Sequence, residues 1–222
     1  LRLEETIRQR LIGQDEAVGA VARALREYRS GLSRKGGPIA GFLFVGPTGV
    51  GKTELSKILA KIQFGSSDAM VRFDMSEYQE KSAVNRLLDN LTEAIRHRPY
   101  SLLLLDEFEK AHPDILNLFL QVLDDGRLTD SAGRTVDFQN TIIIATSNAN
   151  SDYIKAEIEK GTAVNDLSEQ VKKKMTGFFK PELLNRFSGI IMFKPLLPAD
   201  ILAITKINLE DLAETLRQAQ GI

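Results

Sequence analysis

The 222-residue chain contains no cysteine, so neither a disulfide framework nor a thiolate metal site can be built from it. Its two histidines, His97 and His112, lack a second ligand at metal spacing and read as solvated or capping side chains. No apolar run reaches the ~18 residues of a membrane span, and no signal peptide is recognisable, so no membrane role is expected. Neither sign of charge is in excess: 29 basic residues face 30 acidic ones, for a formal net charge of −1. That balance supplies no bulk field for nucleic acid, and the lone basic run Lys172-Lys173-Lys174 reads as a solvated helix face. There is no internal repeat and no low-complexity tract. The chain starts at Leu1 without Met and stops at Ile222 inside a helical pattern, so a piece of a longer, cytoplasmic-type protein is expected.

What is present is a hydrophobic content of 43%, ample for a sizeable core. The pattern predicts a large α/β unit over residues 1–195 and the start of a small helical one over 196–222. Residues 1–12 form an amphipathic stretch, and Asp15 is expected to cap a second helix carrying Val18, Val21, Ala22 and Leu25 on one face. That helix should end near Ser30-Gly31, with Lys35 to Pro38 looping into a first strand at Phe42. Met70 to Asp74, the Leu102–Leu105 run, Thr141 to Ala145 and Ile190 to Phe193 read as further strands. Between them, Ala83 to Arg96 and Ile115 to Leu123 read as helices, 126–138 as a hairpin or exposed loop, and 150–175 as weakly helical. Pro198 opens a last helix with Ile201, Ile204, Leu209, Leu212 and Leu216 in one arc. Strands alternating with helices mean a parallel sheet covered on both faces.

The stretch Gly46-Pro47-Thr48-Gly49-Val50-Gly51-Lys52-Thr53 follows the first strand and opens a helix bearing Leu55, Ile58, Leu59 and Ile62. In that setting the pattern G-x-x-x-x-G-K-[ST] is a phosphate site. Glycines leave the backbone N–H groups free to curl around a polyphosphate, and the helix adds its positive end. Lys52 supplies charge for the β- and γ-phosphates of a nucleoside triphosphate, and Thr53 a hydroxyl for Mg²⁺. Asp106 and Glu107 close the leucine strand, where ligands bind in an open α/β sheet. Asp106 is assigned to the metal and Glu107 to the attacking water as general base. Asn148 ends the next strand. It either donates to the γ-phosphate or satisfies its own turn, and the residue pattern leaves both open. Arg186 precedes the last strand; its fork suits phosphate oxygens across a subunit contact, but an ordinary surface arginine is the default.

These blocks resemble the AAA+ ATPases, and within them the second nucleotide-binding module of ClpB/ClpC-type heat-shock unfoldases and disaggregases. The likeness rests on Ile12 to Val18, Gly46 to Thr53, Phe73-Asp74-Met75-Ser76-Glu77-Tyr78 and Arg98-Pro99-Tyr100 leading into Asp106-Glu107. It continues through Glu109 to Asp114, Leu123 to Asp130, Gly133 to Phe138, Thr146-Ser147-Asn148 and Glu182 to Arg186. The resemblance implies a three-layer fold with a five-stranded parallel sheet and a helical lid. It implies that Asn148 is the polar sensor residue and Arg186 the finger reaching a neighbour's ATP. It places Leu11, Ile12 and Ile204 against the adenine and Ser131 to Thr135 in a second pore loop. The implied assembly is a ring of six copies threading unfolded or aggregated polypeptide through its pore, with a peptidase ring or co-chaperone as further partner. The alternative is an ATP-binding oligomerisation or partner-recruitment module that does no threading; a nucleic-acid motor fits least.

Two departures stand out. Related unfoldases carry a glycine-rich loop with an aromatic where this chain has only Asp89-Asn90 between Leu88 and Leu91. The expectation is that loop residues are missing there, so that the Cα atoms would not follow at the ~3.8 Å of a covalent link. The second is that the chain stops before the family's Gly-Ala-Arg sensor segment, leaving the lid incomplete.

Overall fold

The computed structural model describes residues 2–31 and 36–220; Leu1, Lys35 and Ile222, named above, lie outside the described residues. In chain order the elements are α1 (Arg2–Arg8), α2 (Asp15–Arg29), β1 (Ala40–Val45), α3 (Lys52–Phe64), β2 (Met70–Asp74), α4 (Ala83–His97) and β3 (Leu102–Asp106). There follow α5 (Pro113–Asp125), β4 (Arg127–Thr129), β5 (Thr135–Asp137), β6 (Ile142–Ser147), α6 (Ser151–Glu159), α7 (Val164–Lys174), α8 (Pro181–Leu184), β7 (Gly189–Met192) and α9 (Pro198–Gln220).

Five strands form one parallel sheet in the order β2-β3-β6-β1-β7, the α/β architecture expected. Because side chains alternate across a strand, each strand feeds two cores. Phe42, Phe44, Leu102, Leu104, Ile142 and Ile144 face α1, α2 and α3. Leu43, Val45, Leu103, Leu105, Ile143 and Ala145 face α4, α5, the β4–β5 hairpin and the segment from α6 to α8. The strands being parallel, the segments after β1, β3 and β6 leave the sheet at one edge. That edge holds the site.

Several local expectations change. The first helix stops at Arg8, and Ile7 instead anchors the turn by accepting the N–H groups of Arg10 and Leu11. Gln14, not Asp15, occupies the cap position of α2, and its side chain is used elsewhere. Residues 126–138 form the antiparallel β4–β5 hairpin, and 150–175 holds two helices parted at Gly161, whose φ is +80°. The apolar arc of α9 stays largely outside the core: Ile201, Leu209, Leu212 and Leu216 are 48–60% exposed, whereas Ile204 is half-buried.

Residues 88–91 are a turn inside α4, where the Thr92 hydroxyl donates to the carbonyls of Leu88 and Asp89 at 2.9 and 3.0 Å. Leu87 and Leu91, four apart, both reach the core while Asp89 and Asn90 keep to the polar side. His112 caps α5, its Nδ1 accepting the Asp114 N–H at 3.2 Å, and His97 faces solvent beside Glu93. Among the described residues, no helix is long and apolar enough to cross a membrane.

Candidate active site

The loop from Gly46 to Gly51 turns because β1 is buried on both faces and the chain must leave it toward α3. Gly46 has φ +155°, and a Cβ on it would sit 2.5 Å from the Phe193 carbonyl oxygen. Gly51, at φ +105°, is the cap residue of α3, and a Cβ there would meet Leu11 Cδ1 at 2.8 Å. Only glycine fits such positions. The unpaired first-turn N–H groups of α3 consequently open onto the loop's concave side.

Lys52, 8% exposed, folds back across that loop. Its ammonium donates to the carbonyls of Gly46 at 2.5 Å and Pro47 at 2.7 Å and to Asn148 Oδ1 at 2.9 Å. Burial pushes its pKa down to about 8, against the upward pull of Asp106, Glu109 and Glu107. The field of these three carboxylates favours a cation beside them, and the ammonium favours an anion beside the lysine.

On the next strand, Asp106 ends β3, and Glu107 follows in the left-handed region at φ +53°. That turn throws the two carboxylates in different directions. Asp106 accepts from the Thr146 hydroxyl with one oxygen and pairs with Arg72 at 2.5 Å through the other. The same Thr146 oxygen accepts the Glu107 N–H at 3.2 Å. Glu107 meets Lys110 at 2.6 Å and receives a long 3.4 Å contact from the Asn148 amide nitrogen. Asn148 is the hub: oxygen to Lys52, amide nitrogen to Glu107, and backbone N–H to Glu109 Oε1 at 2.9 Å. The other oxygen of Glu109 is buried without a hydrogen-bond partner.

These residues share a cleft of about 410 Å³ lined by Thr48, Gly49, Gly51, Lys52, Thr53 and Glu54 on one side and Arg72, Asp74, Asp106, Glu107 and Asn148 on the other. An adjoining cavity of about 270 Å³ uses Gly49, Gly51 and Glu54 again and adds Leu11, Ile12, Val50, Leu196, Ile204 and Ile207. A polar cleft running into an apolar recess suits a polyphosphate joined to a flat ring. A cavity of about 490 Å³ beside Ser76, Glu80 and Arg86 is roomier, but Lys52 and the carboxylates after β3 do not reach it.

Lys52, Thr53, Asp106, Glu107 and Asn148 are thus brought together, with Leu11, Ile12 and Ile204 next door. Arg186 is not among them. It lies at the end of α8 with its Nε 2.7 Å from Asp124 Oδ2, a separation that makes an ion pair although the N–H is not aimed at the oxygen. Residue reading alone missed Arg72, Thr146 and Glu109. Arg72 and Thr146 sit on strands flanking β3, so only the pairing of β2 with β3 and of β3 with β6 reveals them.

The donors near Lys52 are hard oxygens, the type Mg²⁺ prefers. Among the described residues, no group of three or more His, Cys, Asp or Glu could hold a metal by itself. Thr53 and Asp106 therefore fit an ion that keeps water and phosphate oxygens as its other ligands, not one caged by protein.

Residues 37–190 match the family model described as AAA domain (Cdc48 subfamily). The chaperone protein ClpB of Clostridium perfringens is 53% identical over 231 residues, spanning 98% of this chain and 27% of that protein. The ClpE ATP-binding subunit of the ATP-dependent Clp protease of Streptococcus pneumoniae is 50% identical over 228 residues, spanning 97% of this chain and 30% of its own. Among solved structures, the S. cerevisiae Hsp104–ADP complex superimposes with a TM-score of 0.87 at 40% identity, covering 96% of this chain and 39% of that one. The chain spans about a quarter to a third of the length of these curated relatives.

Proposed function

The chain belongs to the AAA domain family (Cdc48 subfamily), and we propose that it is a Mg-ATP-hydrolysing module of a ring-forming protein unfoldase or disaggregase. The observation that carries this is the single cleft shared by Lys52, Thr53, Asp106, Glu107 and Asn148.

Loop residues 46–51 offer their N–H groups to the phosphates, and the Lys52 ammonium exchanges its carbonyl partners for phosphate oxygens. Thr53 and Asp106 would hold Mg²⁺, which when bound neutralises charge on the β- and γ-phosphates. Glu107 takes the proton of a water aligned with the terminal phosphorus, and its contacts to Lys110 and Asn148 hold it in place until then. Asn148, already joined to Lys52, orients that water and donates to the transferred group. Leu11, Ile12 and Ile204 sandwich the base.

Arg186 faces away from its own cleft, which favours a role at a neighbour's. In the intact protein six copies would form a ring, as the second ATP-binding module of a ClpB/ClpC-type protein, acting on unfolded or aggregated polypeptide in the cytoplasm. Residues 1–195 would then be the large subdomain and 196–222 the start of the lid. The stretch from Leu88 to Leu91, with only Asp89-Asn90 between the leucines and no aromatic, favours a second reading, in which ATP binding holds an oligomer or recruits a partner without threading.

The test is Glu107→Gln. It is expected to bind ATP as the parent does while hydrolysing it at least about a hundredfold more slowly; rapid turnover by the variant sinks the assignment. Unfolding of a tagged substrate by the full-length protein separates threading from recruitment.

A further inference from the structure

Gln14 is 1% exposed, and the proposed chemistry does not use it. Its amide nitrogen donates to two backbone carbonyls, that of Val50 at 3.1 Å and that of Lys194 at 2.8 Å. Its amide oxygen accepts the Lys194 N–H at 3.0 Å. Turning the amide over would set oxygen against both carbonyls, so one orientation alone satisfies the site. Both donor hydrogens are thus committed to segments far apart in sequence. Val50 belongs to the phosphate loop; Lys194 stands in the short connector between β7 and α9.

Neighbouring contacts reinforce the connector end of this link. Glu16 pairs with the Lys194 ammonium at 2.8 Å. Gly13 lies so close to Asp200 that a Cβ would come within 2.8 Å of its carboxylate, and Asp200 accepts the Leu197 N–H at 2.9 Å. Residues 13–16 therefore hold the start of α9, while Gln14 also holds the loop. The apolar recess lies between the parts so joined, with Val50 on one wall and Leu196, Ile204 and Ile207 on another.

We infer that Gln14 is a positioning residue that couples the phosphate loop to α9. A polyphosphate drawing the loop's backbone toward itself displaces the Val50 carbonyl. The buried amide follows, because letting go would leave a carbonyl and a donor unpaired away from water, and the connector moves with it. The coupling rests on the reading of this loop as a nucleotide site.

The test uses the 222-residue chain, whose lack of cysteine lets two dyes be placed without background. Dyes on Lys57→Cys in α3 and Lys206→Cys in α9, both exposed positions, report their separation by energy transfer as ADP is added. The parent is expected to bind ADP and change its transfer efficiency. Gln14→Leu, similar in size but unable to make the three bonds, is expected to bind ADP within about tenfold of the parent while losing at least half of that change. If Gln14→Leu does not fold, Gln14→Met is read the same way. A full ADP-induced change in the folded variant overturns the inference and leaves a purely structural role, whatever its melting temperature. So does a parent that binds ADP with no change at all. A parent that fails to bind ADP overturns the nucleotide reading itself, and the inference falls with it.

Discussion

The Lys52 ammonium lies 2.9 Å from Asn148 Oδ1, so the helix after β1 and the loop after β6 meet across the carboxyl edge of the sheet. The amide's other end faces Glu107. Asn148 therefore touches both the group proposed to bind phosphate and the group proposed to activate water.

Replacing it tests which of the two it serves. Asn148→Ala is expected to lower the rate of ATP hydrolysis by roughly a hundredfold, the effect of losing one preorganised donor at a developing charge. ADP affinity should change only a few-fold, since the loop and Lys52 remain. Steady-state hydrolysis and an ADP titration on the same preparation decide it, and the reverse pattern would assign Asn148 to binding alone.

Burial holds the Lys52 pKa at about 8, below its ordinary 10.5. Between those values the unfolded chain keeps this proton more fully than the folded one. The Lys52 contribution to stability therefore improves as pH rises through that window. A bound polyphosphate favours the charged form and reverses the shift. Binding of ADP above about pH 8 should accordingly take up a proton and weaken as pH rises further. Calorimetry in two buffers of different ionisation enthalpy measures that uptake, and Lys52→Met should abolish it.

The Arg186–Asp124 pair is about one-third exposed on both sides, at 27% and 34%. Solvent screens such a pair, so Arg186→Ala should cost less than ~1 kcal/mol in urea unfolding. ADP affinity of the isolated chain should not move. Loss of hydrolysis is expected only where copies assemble, and loss in a demonstrably monomeric sample would place the guanidinium at its own cleft.

Phe108 immediately follows Glu107 and is fully buried, its ring against Phe119, Phe179 and Phe187. Phe108→Ala is expected to cost ~3–5 kcal/mol through the cavity it leaves. Because this ring anchors the turn that aims Glu107, hydrolysis should fall as well, even under conditions where the variant remains folded. Chemical denaturation and a hydrolysis assay well below the midpoint separate the two effects.

The phosphate loop and the acidic pair were legible in the sequence because their chemistry lies in consecutive residues whose glycines and strand ends leave few alternatives. Gln14 could be seen as a residue before a helix but not as a clamp, since its partners are 36 and 180 positions away. The helix cap went to it and not to Asp15, because a polar side chain with three buried partners needs the inward position.

By itself, then, the sequence determined that β1, β3 and β6 are buried strands, that a glycine loop follows the first, and that carboxylates and an amide follow the others. It did so because alternation, apolar runs and turn residues act over short distances along the chain. The tertiary structure decided which of those ends converge. Strand order set β1 beside β6 and β6 beside β3, and so brought Asn148 against Lys52, Thr146 and Arg72 against Asp106, and the Arg186 side chain to a different face. Pairing between strands distant in sequence depends on the whole packed sheet, and no local pattern encodes it.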